Sequence, residues 1–354
     1  MKKITVLSLR EAEQQLGYSL EAYQTRIQAA GVLLEQFYAE QIILIDDTFQ
    51  TSLLKQHYWT NGVESFWLAH PSEASASSVT PTVFSFFLEK SQLKGYSIKD
   101  SLVIASMYAH QQAHSNLSHE NTGADWPEKE IHLPFLSLTP LTSLPSSFKP
   151  CHSLGLYPIV DSYAWLEKLS ILDTLRAIQL RIKELSPSAE IEIANCVALS
   201  KKRNIPLFIN DHWELAIRLG AYGVHLGQTD LDKADIEAIR QAGLYLGLST
   251  YCPYEIARAH AFRPSYIACG PIYPTYSKSF TYEPQGLLSL ECWRRTLHYP
   301  LVAIGGITLK RLPDILHTGV DSISVISAIT QAVDPIFEAQ QFITEIEATL
   351  QKSN

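Results

Sequence analysis

Between residues 154 and 329 the chain repeats one unit eight times: a short, almost continuously apolar run, then a stretch with helical spacing. The runs are "LGLYPIVD" (154–161), "AIQLRIK" (177–183), "PLFIND" (206–211), "GVHLGQ" (223–228), "YLGLST" (245–250), "YIACGPIY" (266–273), "LVAIGGI" (301–307) and "SISVISAI" (322–329). Strands with apolar residues on both faces need cover on both, as in a parallel sheet flanked by helices. The intervening stretches, such as "HWELAIRLG" and "DKADIEAIRQAG", close on glycine as helices tend to. Eight units in roughly 200 residues match the lower size of a (β/α)8 barrel. An open doubly wound sheet is the rival, but even spacing and the lack of a G-x-G-x-x-G turn favour closure. The expected fold class is α/β, a (β/α)8 TIM barrel over residues 154–354.

Upstream the pattern changes. Residues 119–153 are rich in Pro, Ser and Thr and carry no sustained period, which reads as a linker or wrapping segment. Leu and Phe within it imply that part of it packs on a surface. The expected organisation is a smaller α/β domain over 1–118, a linker over 119–153 and the barrel. The net charge of −8 argues against a nucleic-acid surface or an anionic membrane patch, so any phosphate must meet a local basic cluster. The five cysteines are scattered with no C-x-x-C pair, which indicates neither a zinc ribbon nor a disulfide framework and suits a reducing cytosol. "MKKITVLSLREAEQQLG" turns charged before a signal-peptide core develops, and no apolar run nears the ~18 residues of a membrane span. A cytoplasmic protein with small-molecule partners is expected, with no nucleic acid and no membrane.

Barrel enzymes keep their chemistry at the carboxyl ends of the strands. The groups expected there are Gln179, Arg181 and Lys183, Asn210 and Asp211, Gln228 and Asp230, Ser249 and Thr250. Thr275, Ser277 and Lys278 follow the sixth run, and Gly305, Gly306, Ile326 and Ser327 belong to the last two. Arg181 and Lys183 alternate along one strand, so both should face the barrel mouth, where Lys278 joins them in an anion site. Asp211 and Asp230 offer hard oxygen ligands that suit Mg²⁺ held between carboxylates and substrate phosphates. Either aspartate alone serves equally well as a helix cap. Two beside a basic cluster favour the metal, which would neutralise charge on a departing pyrophosphate. "AIGGI" and "SVISAI" lie where barrels commonly bind a phosphate through backbone N–H groups, which suggests a second phosphate site. His225 and Cys269 lie within runs, and burial of His225 with a satisfied hydrogen bond is the expectation. No Ser/His/Asp or Cys/His order marks a nucleophile.

Taken together, "QLRIK", "FIND", "GVHLGQ-D", "LGLST", "GPIYPT-SK", "PQGL", "VAIGGI" and "VISAI" make residues 154–350 closely resemble thiamine phosphate synthase. The resemblance implies that hydroxymethylpyrimidine diphosphate and thiazole phosphate are joined, with Mg²⁺, to give thiamine phosphate and pyrophosphate. It implies that Gln179, Leu180, Arg181, Ile182, Lys183, Asn210, Ser249 and Lys278 hold the pyrimidine diphosphate. Among them, Arg181, Lys183, Ser249 and Lys278 take the catalytic part. Asp211 and Asp230 would bind Mg²⁺, while Thr275, Ser277, a glycine of the Gly305–Gly306 pair, Ile326 and Ser327 would hold the thiazole phosphate. Ser277 stands where Thr is more frequent and keeps a hydroxyl, and Ile182 replaces the common Glu of "REK". The family's dissociative mechanism, in which pyrophosphate leaves before the thiazole nitrogen attacks, needs no protein nucleophile.

"VLSLREAEQQLG" (6–17) and "KGYSIKDSLVIAS" (94–106) resemble, more faintly, the C-terminal half of hydroxymethylpyrimidine phosphate kinase, a ribokinase-like fold. The kinase's "G-T-G-C" turn has no counterpart near "SSVTPT" (77–82), so residues 1–118 read as an inactive remnant; an unrelated α/β appendage is the alternative. Its apolar faces would be covered by the linker, the barrel or a second copy in a homo-oligomer. A chain starting near Ser153 would be chemically complete. Two other functions compete: a thiazole phosphate tautomerase-like barrel, and a regulatory barrel that only senses ligand. Retention of Arg181, Lys183, Asp211, Asp230 and Lys278 speaks against both.

Overall fold

A computed structural model of the chain describes residues 4–48, 53–72, 77–114, 126–275 and 283–352. These divide into two compact units, residues 1–146 with 252–262, and residues 147–251 with 263–354. No helix among the described residues is long and apolar enough to cross a membrane.

The first unit is built on a five-stranded sheet in the order β1-β2-β3-β4-β5. Its strands are β1 (Ile4–Ser8), β2 (Gln41–Ile45), β3 (Leu54–Thr60), β4 (Ser65–Pro71) and β5 (Phe135–Ser137). β1 and β2 run parallel and the remaining neighbours antiparallel, so the sheet is mixed. The chain leaves β1 directly into α1 (Leu9–Leu16) through a capping box. Ser8 Oγ accepts from Glu11 N–H at 3.1 Å, and the Glu11 carboxylate accepts from Ser8 N–H at 2.8 Å. Two otherwise orphaned amides are thereby satisfied, and Gly17 at φ +78° closes the helix in the left-handed region. α2 (Tyr23–Gln36), α3 (Pro81–Leu93) and α4 (Ile98–His114) complete the unit's own helices.

Of segment 119–153, residues 126–153 are described. Its described part contains a short 3-10 turn (Glu130–His132) and β5, with Leu133, Phe135 and Leu136 buried. Gln56 fastens it from β3, because its amide donates to Leu141 C=O and accepts from Leu141 N–H, both at 2.8 Å. Burying this backbone requires such partners.

In the second unit all eight strands close into a parallel barrel, with β13 pairing β6. In chain order they are β6 (Gly155–Val160), β7 (Ile178–Leu180), β8 (Leu207–Asn210), β9 (Gly223–Leu226), β10 (Tyr245–Thr250), β11 (Tyr266–Cys269), β12 (Leu301–Ile304) and β13 (Ser322–Val325). Helices alternate with them: α5 (Tyr163–Leu169), α6 (Pro187–Arg203), α7 (Trp213–Leu219), α8 (Gln228–Leu231) and α9 (Ile236–Gln241). After α10, α11 (Gly286–Thr296), α12 (Leu312–His317), α13 (Ser327–Thr330) and α14 (Pro335–Lys352) follow. The exception is α10 (Pro253–His260), which follows β10 in sequence but groups with the first unit. There Asp100 of α4 accepts from Tyr254 N–H at 2.9 Å, and the His260 ring stacks on Phe135 at 4.3 Å. A cut near Ser153 would therefore remove the partners of a helix encoded within the barrel's own sequence.

Candidate active site

Most strands are shorter than their apolar runs, and the site lies in the excess. β7 ends at Leu180, so Arg181 and Lys183 stand on the loop beyond it rather than alternating along a strand. Two hydrogen bonds orient that loop instead. Arg181 N–H donates to Val160 C=O at 2.7 Å, and His212, on the next loop, bonds Ile182 C=O at 2.8 Å. Arg181 and Ile182 are half-buried there and Lys183 is exposed, while Leu180 is buried.

β8 delivers Asn210, which is buried, and then Asp211 at φ +64°. That left-handed conformation is uncommon outside glycine, although Asp tolerates it better than most residues. It is held by Asp211 N–H donating to His225 C=O at 3.0 Å and Trp213 N–H donating to Asp211 C=O at 2.8 Å. On the adjacent strand end, Asp230 sits in α8, and its Oδ2 lies 3.5 Å from where a Cβ on Gly227 would stand. Gln228, beside it, donates to Ser249 C=O at 2.8 Å and so ties the ends of β9 and β10.

Under this rim a chain of hydrogen bonds runs across the barrel interior. Gln179 Nε2 donates to the Tyr157 hydroxyl at 3.2 Å, and the Tyr157 and Tyr266 hydroxyls lie 2.9 Å apart. His225 Nδ1 meets the Tyr266 hydroxyl at 2.7 Å, and His225 Nε2 meets Ser249 Oγ at 2.7 Å. The Gln179 amide nitrogen donates to Tyr157, and one order that then gives every bond a single proton has Tyr157 donating to Tyr266, Tyr266 to His225 Nδ1 and His225 Nε2–H to Ser249 Oγ. In that order the Ser249 hydroxyl hydrogen is left for a partner at the rim, where Ser249 is half-buried. Burial pushes both tyrosine hydroxyls well above their ordinary range, so they remain donors throughout the neutral region. Gly247 makes room for this arrangement, since a Cβ there would stand 2.1 Å from the Tyr266 ring. The burial expected for His225 is observed, with both ring nitrogens hydrogen-bonded. The sequence reading missed Tyr157 and Tyr266, although a signal existed: polar-tipped residues recur inside otherwise apolar runs.

On the opposite arc, β12 is followed by Gly305 (φ +98°) and Gly306 (φ +65°). A Cβ on Gly305 would stand 2.4 Å from Pro271 Cβ, so glycine is required for both conformation and space. The two carbonyls are engaged by Tyr273 N–H at 3.1 Å and Arg311 at 2.6 Å, which fixes the peptide planes. Thr275 and Ile326 are half-buried and Ser327 is exposed. Gln179 is only 2% exposed and lies below the rim rather than on it. Ser277 and Lys278 lie outside the described residues.

The profile of a family described as thiamine monophosphate synthase matches residues 156–329. A thiamine-phosphate synthase of Photorhabdus laumondii is 50% identical over 198 residues, covering 55% of this chain and 91% of that protein. The chain belongs to the thiamine-phosphate synthase family. A second relative, the thiamine-phosphate synthase of Cronobacter sakazakii, is 54% identical over 186 residues, which is 52% of this chain and 88% of that one. The solved structure of a thiamine phosphate pyrophosphorylase from Pyrococcus furiosus superposes with a TM-score of 0.50 at 29% identity, covering 56% of this chain and 98% of that one. The chain is thus a transferase of thiamine biosynthesis, and the tautomerase-like and regulatory alternatives are not favoured.

Proposed function

We propose that the barrel rim joins hydroxymethylpyrimidine diphosphate to thiazole phosphate, with the diphosphate over the ends of β7 to β10 and the monophosphate over β12 and β13. The observation that carries this reading is the placement of Asp211, in its constrained conformation, and Asp230 just past the ends of two neighbouring strands. Two half-buried carboxylates are a donor set that fits Mg²⁺ bridging a diphosphate. When bound, the ion would neutralise charge developing on the departing pyrophosphate. Arg181 and Lys183, and Lys278 from the family resemblance, share that charge, while Ser249 donates the hydroxyl hydrogen that His225 leaves over. Gln179 and Asn210 support the pyrimidine side from below. Thr275, Ser277, the Gly305–Gly306 turn, Ile326 and Ser327 hold the thiazole phosphate and aim its nitrogen at the reacting carbon.

The test separates the two halves. Lys183→Ala removes charge aimed at the leaving group and should lower kcat by about 10²-fold, because its contact strengthens in the transition state. Ser327→Ala should raise KM for thiazole phosphate by about tenfold with kcat nearly unchanged. Loss of kcat in Ser327→Ala with wild-type kcat in Lys183→Ala would reverse the placement.

For the first unit we infer an inactive remnant of a hydroxymethylpyrimidine phosphate kinase. The capped β1–α1 junction within "VLSLREAEQQLG" and the start of α4 within "KGYSIKDSLVIAS" support it. Phosphorylation of hydroxymethylpyrimidine phosphate by ATP should be undetectable in the full chain, and measurable turnover would refute it.

A further inference from the structure

The first unit carries a histidine cluster that thiamine phosphate synthesis does not use. His110 and His114 stand one helical turn apart on α4, and His132 approaches from the 3-10 turn Glu130–His132. One ring nitrogen from each can be chosen so that all three lie within 4.8 Å of one another. His110 Nδ1 and His132 Nδ1 face each other at 3.2 Å. Ligands at zinc–nitrogen distances of ~2.0–2.1 Å in a tetrahedron stand about 3.4 Å apart, so this pair already has the spacing of two ligands on one ion. His114 Nδ1 bonds the His110 carbonyl at 2.7 Å. That bond puts the proton on Nδ1 and the lone pair on Nε2, the outer-shell device that fixes the tautomer of metal-bound histidine.

We propose that His110, His114 and His132 form a binding site for a late first-row divalent cation, with Zn²⁺ the ion that best fits three imidazoles and one open position. Such an ion would tie the C-terminal turn of α4 to the segment that enters β5. The rings are prepared for it. His110 and His132 are buried, and burial disfavours the charged imidazolium, which cannot bind a metal. His70 stacks beneath His110 at 4.0 Å and is itself anchored to Ser106 Oγ at 2.7 Å, which restricts the His110 ring. Imidazole is a poor ligand for Mg²⁺, so this site and an oxygen site on the barrel select different ions.

The experiment uses the full chain, stripped with a chelator, dialysed against Zn²⁺ in the presence of excess Mg²⁺ and freed of unbound ion. One Zn²⁺ per chain is expected, together with a rise in Tm that chelator reverses. Replacement by Co²⁺ should give visible absorption with nitrogen ligation. His132→Ala and His114→Gln should each weaken Zn²⁺ binding by at least about 10²-fold and abolish the Tm rise, while thiamine phosphate formation stays at the wild-type level. His114→Gln changes a half-buried residue in the last turn of α4 and decides alone if His132→Ala does not fold. No retained Zn²⁺, or Zn²⁺ retained equally by both variants, overturns the site. So does loss of the ion in Asp211→Asn/Asp230→Asn, which would assign it to the barrel.

Discussion

The two units differ in the polar side chains they bury. In the barrel the buried polar groups of the Gln179–Tyr157–Tyr266–His225–Ser249 chain are neutral, each bond has one proton, and the line ends at the rim. In the first unit the buried polar groups include an ion pair, Arg26 to Asp46 at 3.0 Å, with both side chains nearly inaccessible. Arg26 also donates to Leu20 C=O at 2.9 Å, and Asp46 N–H donates to His57 Nδ1 at 3.0 Å. Desolvation alone would raise Asp46; Arg26 and the Thr48 hydroxyl outweigh it and hold the carboxyl below its ordinary value. The contrast teaches that a buried polar network can serve a site or can specify a core. A neutral chain positions a surface hydroxyl at little desolvation cost, whereas an interior ion pair penalises the loss of either partner.

This contrast can be broken by mutation, the largest effect first. Arg26→Met leaves Asp46 buried without its cation and should destabilise the first unit by about 3–5 kcal/mol, read by urea unfolding. Turnover of the barrel at a temperature where both units stay folded should not change; a matching loss of kcat would mean the ion pair serves the site. Asp211→Asn/Asp230→Asn should do the reverse. It should lower kcat by roughly 10²–10³-fold, with a raised Mg²⁺ requirement, while the unfolding curve barely moves. Full activity of that double variant in chelator would remove the metal from the site.

Acid sharpens the comparison. Burial lowers His57 and His132 to about 4, below the ordinary 6.5 that they recover on unfolding. The unfolded chain therefore binds the extra protons, so this stability is complete above about 6.5 and declines as pH falls toward 4. A fully buried ring such as His57 contributes a slope of about 1.4 kcal/mol per pH unit across that window. Hydrogen exchange at stepped pH should show amides of β2 and β3 losing protection before those of β8 and β9. Simultaneous loss in both units would deny the difference. The smallest effect is expected from Tyr266→Phe, which takes the proton from His225 Nδ1 and an acceptor from Tyr157. Stability should fall by about 1 kcal/mol, with a few-fold rise in KM for the pyrimidine diphosphate as Ser249 loses its fixed donor. Unchanged KM would mean that the proton order under the rim does not reach the substrate.

Local pattern alone determined the barrel, because eight apolar runs covered on both faces admit few other closures, and each run predicts its strand within a few residues. The acids after β8 and β9 and the glycines after β12 were legible for the same reason: strand ends are a local property, and the rim follows from them. Chain reversal at Ser8 and Gly17 was equally local. Tertiary structure decided the rest. β7 stops at Leu180, level with the last residue of β6, so Arg181 and Lys183 are aimed by Val160 and His212 and not by strand alternation. Tyr157 and Tyr266 are 109 positions apart, and nothing in either run announces the 2.9 Å contact between their hydroxyls. α10 has the sequence address of a barrel helix, yet Asp100 and Phe135 hold it in the first unit. His132 meets His110 across 22 positions that include residues with no regular period. Periodicity reports which face of an element is apolar; it carries no record of which distant element will cover that face, and polar partners inside a core are chosen only when the cover arrives.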